Sequence, residues 1–182
     1  VTAYQSTRKT RGASSTVTQI GILSDTHLSS PSPWFISQVG QAFSDCSTIL
    51  HAGDLTDISI LEVFRDKEVH AVHGNMCERS SFQALPGNKI IEIEGFTIGL
   101  CHGAGARHNI EERMWDLFPT VDCIVYGHTH FAVNHKLANT LFINPGSFAA
   151  TGRYGAPGTY AILHVSDEGL RASLHQLGET GP

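Results

Sequence analysis

Seven polar residues in this 182-residue chain have types and spacing suited to holding divalent metal ions: Asp25, His27, Asp54, Asn75, His102, His128 and His130. They fall in five chain-distant segments, written Asp-x-His, Gly-Asp, Gly-Asn, His-Gly and Gly-His-x-His. Each segment has a bland explanation when taken alone. An Asp after a strand caps a helix, Gly-Asp and Gly-Asn make turns, and a histidine beside an apolar strand sits satisfied in a core. Those explanations are independent of one another, and none requires that all five segments occur in this order, each after an apolar run. All seven side chains offer oxygen or imidazole nitrogen and none a thiolate. That donor set suits Mn²⁺, Fe²⁺, Co²⁺, Ni²⁺ or Zn²⁺ and indicates a catalytic centre instead of a structural zinc knot. In an extended segment residues two apart face the same side, so Asp25 with His27, and His128 with His130, are expected to reach one site. Glycines at 53, 74, 103 and 127 let the backbone turn or come close beside them.

The elements that must position these groups follow from the apolar pattern. Short apolar runs at residues 20–25, 47–54, 69–75 and 122–128 end in polar residues and read as buried strands. Between them, Trp34, Phe35, Val39, Ala42 and Phe43 have helical spacing after Pro31 and Pro33, as do Ile58, Leu61, Val63 and Phe64 after Asp57. Alternating strands and helices imply parallel βαβ units. From Ile90 the pattern changes to a hairpin about Gly95, followed by strands at residues 140–144, 159–165 and 170–176. The expected fold is therefore α/β, two stacked sheets with helices outside. Its ligands gather at the carboxyl ends of the strands, where open sheets bind them.

Composition bounds the rest. A content of 41% hydrophobic and 16% charged residues fits one globular domain, placed at residues 19–178. Residues 1–18 carry Arg8, Lys9 and Arg11, no acid and no apolar periodicity, so they are expected to form a flexible tail, with a faint likeness to a transit peptide. The formal charge of -5 argues against a nucleic-acid binder, whether sequence-specific or not, and a small anionic substrate needs a local cation. No apolar run approaches the roughly 20 residues of a bilayer span, so no membrane partner is expected. Cys46, Cys77, Cys101 and Cys123 form no paired motif and are expected to be reduced and mostly buried. The cytoplasm is the expected compartment, and a homo-oligomer is compatible with all of this. His51, His70, His73, His108, His135, His164 and His175 are assigned structural or solvent roles, with His73 and His108 the most open.

From residue 20 to about 147, the ordered set resembles the calcineurin-like metallophosphoesterase superfamily. Residues 72–75, 101–103, 126–130 and 143–147 look closest to its compact bacterial and archaeal phosphodiesterase branch, which also contains the non-enzymatic retromer subunit of eukaryotes. The resemblance implies a four-layer α-β-β-α sandwich with two mixed sheets. It also implies two divalent transition-metal ions, Mn²⁺ before Fe²⁺, Ni²⁺, Co²⁺ or Zn²⁺. Asp25, His27, Asp54 and His130 would hold the first and Asp54, Asn75, His102 and His128 the second, with Asp54 bridging. The implied reaction is hydrolysis of a small phosphodiester by a hydroxide held on the ions, without a covalent intermediate. Asp54, Asn75 and His102 are placed in the catalytic machinery, joined by Arg153 if its glycine-rich loop folds over the phosphate. One position departs from the pattern. Many relatives have a proton-donating histidine directly after the Gly-Asn asparagine, and this chain has Met76, with Glu78 the nearest acid. Two non-enzymatic alternatives stand beside this reading: a scaffold that recruits protein partners, and a metal-binding regulator without turnover.

Overall fold

The computed structural model describes residues 17–149 and 157–178, so Arg153 and residues 1–16 of the expected tail lie outside the described residues. In chain order the strands are β1 (Thr18–Leu23), β2 (Thr48–His51), β3 (Glu68–Ala71), β4 (Asn88–Ile93) and β5 (Phe96–Cys101). They continue as β6 (Cys123–Val125), β7 (Val133–Leu137), β8 (Thr140–Asn144), β9 (Thr159–Ser166) and β10 (Gly169–Gln176). The helices are α1 (Pro33–Ala42), α2 (Arg79–Ala84) and α3 (Ile110–Leu117), with a 3₁₀ helix at Ile58–Phe64.

Two five-stranded mixed sheets result, ordered β10-β9-β1-β2-β3 and β4-β5-β6-β8-β7. In the first, β1, β2 and β3 run parallel and β9 and β10 return antiparallel. In the second, β5, β6 and β8 run parallel, flanked by antiparallel β4 and β7. Strand alternation then sorts side chains into layers. Ile20, Ile22, Leu50, Ile98, Leu100, Cys123, Val125, Leu141 and Ile143 fill the space between the sheets. Leu23 and Ile49 face outward from the first sheet onto Phe35, Val39, Phe43 and Phe64 of the α1 and 3₁₀ segments. Ile124, Tyr126 and Phe142 face outward from the second onto Ile110, Met114 and Phe118 around α3. Three apolar layers between four structural ones make the α-β-β-α sandwich that the sequence implied.

Local sequence explains most of the elements. Ser32 caps α1, its hydroxyl accepting the Phe35 N–H at 3.2 Å, and Pro33 occupies the first turn, where its missing N–H costs nothing. The Ile93↔Phe96 pair leaves Glu94 and Gly95 as a two-residue loop, both at positive φ, which matches the twist of the hairpin strands. The segment after Asp57 closes as a 3₁₀ helix, capped when Asp57 accepts the Ser59 N–H at 2.9 Å. It is seven residues long and rich in β-branched side chains, which resist a regular α turn. Three elements were not expected. Helix α2 buries only Ser81, helix α3 is eight residues long with Glu111, Glu112 and Arg113 in its first half, and β7 exposes four of its five residues, so none shows a sustained apolar face. All four cysteines are free, and burial pushes the Cys46 thiol up to about 11. No helix among the described residues is long and apolar enough to cross a membrane.

Candidate metal centre

The loops that follow β1 and β2 continue side by side beyond the last paired residues. The Ala52 N–H donates to the Leu23 carbonyl (2.9 Å), Asp25 N–H to the Gly53 carbonyl (3.0 Å) and His27 N–H to the Asp54 carbonyl (3.0 Å). Asp25 and His27 are thereby laid against Asp54. His51 stitches the same two loops from below. Its Nδ1 accepts the Gly53 N–H at 3.2 Å while its Nε2 meets the Thr26 hydroxyl at 3.3 Å. Complete burial pushes this imidazole down to about 4, so it is neutral and keeps that donor and acceptor pattern.

Second-sheet loops close over the first. The Gly127 N–H donates to the His102 carbonyl (3.1 Å) and the His128 N–H to Asp25 Oδ2 (3.1 Å), which also accepts the Ser24 hydroxyl. A Cβ at Gly127 would collide with Ser24, and a Cβ at Gly74 with the Asp54 carboxylate, so both glycines are required by close approach. Gly53 and Gly103 meet both demands, turning the backbone at φ +92° and +85° where a Cβ would also collide with His102 and Ile110.

Two groups of ligand atoms converge. In the first, Asp25 Oδ1 lies 3.0 Å from His130 Nε2 and 3.7 Å from His27 Nε2, and the two imidazole nitrogens are 3.4 Å apart. The second joins Asp25, Asp54 and His102, with Asp54 Oδ2 3.1 Å from His102 Nε2. Within each group the atoms all lie within 4.8 Å of one another. Donors about 2.1 Å from one ion stand about 3.0–3.4 Å apart at octahedral to tetrahedral angles, so the observed spacings suit a shared ion. Alignment points the same way. Asp25 Oδ1 and His102 Nε2 are buried and have no hydrogen-bond partner among the described residues, although oppositely polarised atoms stand close by. Buried polar atoms are normally satisfied, so these aim past their neighbours at a common point.

Asp25 is the member common to both groups. Asp54 has one oxygen turned to His102 and the other accepting the Met76 N–H at 2.7 Å. Asn75 is exposed beside it, carried by the Gly74–Met76 backbone that packs on the Asp54 carboxylate. His128 stands apart from His130, next to His102 with ring centroids 5.2 Å apart. Its Nε2 meets the Gly105 carbonyl at 3.0 Å, so Nε2 carries the proton and Nδ1 the lone pair. His102 is the reverse, its Nδ1 bound to the Ala52 carbonyl at 2.8 Å and its Nε2 left for the centre.

The expected extended geometry of the Asp-x-His and His-x-His segments is corrected here. Asp25, His27, Asp54, His128 and His130 all lie in the left-handed region, at φ 54°, 49°, 53°, 67° and 60°. A non-glycine residue rarely adopts this conformation, and it persists only where surrounding bonds hold it. Asp25 and His27 share a group because alternate residues are turned left-handed, whereas His130 joins that group and His128 stands beside His102, outside both groups.

Electrostatics follow from this crowding. Burial alone would raise Asp25, but His130, His27, His102 and Ser24 outweigh it and hold the carboxyl well below its usual range. Asp54 is also lowered, because His102 and the Met76 N–H overcome its burial. Burial works against charge on His102, yet Asp54 and Asp25 raise it above its usual value. The centre is a compact cluster whose ionised carboxylates favour positive charge.

Several supporting residues were missed by the sequence reading. Arg113 donates to the carbonyls of Ala104 (2.9 Å), Gly103 (2.9 Å) and Ala106 (2.7 Å), so one guanidinium holds the loop whose Gly105 carbonyl meets His128. Asn144 donates to the Gly127 carbonyl (2.8 Å) and the Thr129 hydroxyl (3.1 Å), and Ser147 donates to the Asp25 carbonyl (3.0 Å). Asn144 and Ser147 lie in the segment 143–147 already noted, but its wording carried no contact. Arg113 carried no signal, since an arginine amid charged helix residues looks like a solvated face. Of the open histidines, His73 packs on Phe82 with centroids 4.1 Å apart, away from both ligand groups.

A family model described as the calcineurin-like phosphoesterase superfamily domain matches residues 19–168. A probable metallophosphoesterase of Methanothermobacter thermautotrophicus is 34% identical over 162 residues, covering 87% of this chain and 92% of that protein. A phosphodiesterase of Methanocaldococcus jannaschii is 28% identical over 143 residues, covering 70% of this chain and 82% of that protein. Vacuolar protein sorting 29 of Cryptosporidium parvum shares the fold, at 17% identity and TM-score 0.68 over 90% of this chain and 99% of that one. With the matched region enclosing all seven ligand candidates, the chain belongs to the calcineurin-like phosphoesterase superfamily.

Proposed function

We propose that the protein is a dinuclear metal-dependent phosphodiesterase acting on small phosphodiesters. The observation that carries this reading is the pair of overlapping ligand groups, in which buried Asp25 Oδ1 and His102 Nε2 have no partner among the described residues. Asp25, His27 and His130, with Asp54, would hold one ion, and Asp54, Asn75, His102 and His128 the other. Two divalent ions bound there would polarise the phosphoryl oxygens and bring water toward its hydroxide form near neutral pH. The chain's own residues prepare that role. Asp25 and Asp54 are ionised at neutral pH and supply negative charge, while His102 must release its raised proton to act as a ligand. An imidazole-rich set favours Mn²⁺ or a neighbouring transition metal over Mg²⁺. Met76 offers no proton to a departing alkoxide, which favours diesters with good leaving groups, and the phosphodiesterase name of one relative agrees. A scaffold role would tolerate loss of ligands, and none of the seven is lost.

The test is initial rates on bis(p-nitrophenyl) phosphate and p-nitrophenyl phosphate after chelation and re-addition of single metals. We expect chelation to abolish hydrolysis, Mn²⁺ to restore it more fully than Mg²⁺, and the diester to react faster. Rates unchanged by chelation would remove the reading.

A further inference from the structure

A cleft of about 580 Å³ opens beside the loop that carries His128 and His130, lined by residues 107–112 and by Tyr126, Thr129, Phe131 and Val133. We propose that this cleft is the subsite for the nucleoside portion of a phosphodiester, with Arg107 facing the phosphate and Phe131 the base. The assignment rests on the phosphodiesterase reading above.

Three observations carry it. First, the cleft adjoins the centre without being part of it. Thr129 lies between His128 and His130, and Phe131 directly follows His130, so a group held here remains attached to a phosphate at the ligand atoms. Its volume falls in the range of small-molecule sites, roughly 300–1,000 Å³. Second, Arg107 forms no hydrogen bond or ion pair among the described residues. It lines the cleft two residues after Gly105, whose carbonyl meets His128 Nε2 at 3.0 Å, so the loop that carries it passes directly beside the centre. Beyond the ions of the proposed centre, an anionic substrate gains from a cation on the protein itself, and Arg153, the one expected from sequence, lies outside the described residues. Arg107 supplies such a charge at the mouth of the cleft.

Third, the lining is of two kinds. Phe131 is 73% exposed directly beside a ligand residue, where such a ring gains nothing from burial in the fold. Around it stand His108, Asn109 and Thr129, while Glu111 is already engaged by the Tyr126 hydroxyl (2.7 Å) and His135 (3.2 Å). A hydrocarbon chain would leave those polar groups unsatisfied. A planar ring with a hydrogen-bonding edge, joined through a sugar to the phosphate, satisfies both kinds of wall, and stacking on an aromatic side chain is a common means of holding a base.

The experiment compares thymidine 5′-(p-nitrophenyl) phosphate with methyl p-nitrophenyl phosphate on the metal-loaded enzyme, the departing nitrophenolate being the same. The ratio of their kcat/KM values is expected to favour thymidine on the order of 10-fold. Phe131→Ala should collapse that ratio to about one and Phe131→Trp should retain it. Arg107→Ala should lower kcat/KM for both esters by roughly 10-fold or more, through the phosphate they share. His175→Ala, at a residue whose ring stacks on Tyr160 and meets Ser173 and does not line the cleft, should leave the ratio and both rates as they were. In parallel, calorimetry should find thymidine 5′-monophosphate binding roughly 10-fold more tightly than methyl phosphate, a preference lost in Phe131→Ala.

Hydrolysis of both esters with a wild-type ratio near one would overturn the cleft assignment and leave the phosphodiesterase reading standing. An unchanged ratio in Phe131→Ala would overturn it too, since it would place the nitrophenyl ring against Phe131 or no ring at all. Hydrolysis of neither ester, together with tight thymidine monophosphate binding that Phe131→Ala destroys, would support the cleft and remove the phosphodiesterase reading.

Discussion

The two sheets solve one problem with different side chains. In each, a parallel strand leads to ligands, a helix returns over the outer face, and a second parallel strand leads to more: β1, α1 and β2 in one sheet, β5, α3 and β6 in the other. Packing repeats as well. Gly21 of β1 leaves the space that Phe43 fills at the end of α1, and Gly99 of β5 does the same for Phe118 at the end of α3. What differs is the chemistry at the strand ends. The first sheet delivers the carboxylates, Asp25 and Asp54, almost wholly buried, whereas the second delivers imidazoles alone, His102, His128 and His130, with His130 about a quarter exposed. A buried carboxylate keeps its charge and needs a cation beside it, whereas an imidazole sheds its charge when none is present. The first sheet therefore sets the affinity of the centre for positive charge, and the second adapts to it.

Replacing members from each side should break this contrast most directly. Asp54→Asn is expected to lower kcat/KM on bis(p-nitrophenyl) phosphate well beyond the roughly 100-fold typical of losing a residue behind the ligands, with far-ultraviolet circular dichroism unchanged. His130→Ala, from the exposed imidazole side, should cost less and respond to added metal. Equal, metal-insensitive losses would show that the two sheets do not divide the work.

Next in size is Arg113→Ala, which frees the loop that presents the Gly105 carbonyl to His128. We expect roughly 10–100-fold weaker binding of one ion by calorimetry, partly recovered at high metal concentration, while the other ion binds as before. Loss of both ions in step would mean that Arg113 supports the fold and not His128 alone.

A smaller effect separates proton from metal. Asp25 and Asp54 are held below their usual 3.8, so their contribution to stability is present above that pH and is lost as pH falls through their lower folded values. His102 is held above 6.5, so its contribution is full below that pH and is lost as pH rises through its folded value. His51, pushed down to about 4 by burial, works in the opposite sense and costs stability below its usual 6.5, so the metal-free protein should weaken only above about pH 6.5, as pH rises through the folded value of His102. The metal-loaded protein should not weaken, because metal replaces the proton on His102. Parallel denaturation midpoints for the two forms across that rise would contradict the assignment.

Smallest at the centre, but informative about symmetry, are Gly21→Ala and Gly99→Ala. Each forces a methyl group against a phenylalanine ring, with nearest approaches of 2.5 and 2.6 Å, and should cost roughly 1–3 kcal/mol by thermal unfolding while leaving metal affinity intact. A change in affinity from only one of them would show which helix layer is coupled to the centre.

Much of this was legible in the chain. Alternation in residues 20–23 and 122–125 set which side chains meet between the sheets, because a strand has no other way to separate its faces. The helix after Ser32 was legible for the same reason, its cap and Pro33 acting within a few residues. Helices α2 and α3 and strand β7 were not, because they are stabilised by what they cover and not by their own pattern.

At the proposed centre, the sequence by itself offered the candidate donors: two acids, an amide and four imidazoles at the ends of five apolar runs, a property of residue type and order. Only the tertiary structure decided how they combine. It turned five of them left-handed, made Asp25 common to both ligand groups, divided His128 from His130, and set Arg107 and Phe131 around a cleft at their side. Those outcomes depend on contacts between residues more than 100 positions apart, such as His128 N–H with Asp25, 103 apart, and the Ser147 hydroxyl with the Asp25 carbonyl, 122 apart. No local pattern encodes such a contact, because its energy exists only once both sheets have closed on each other.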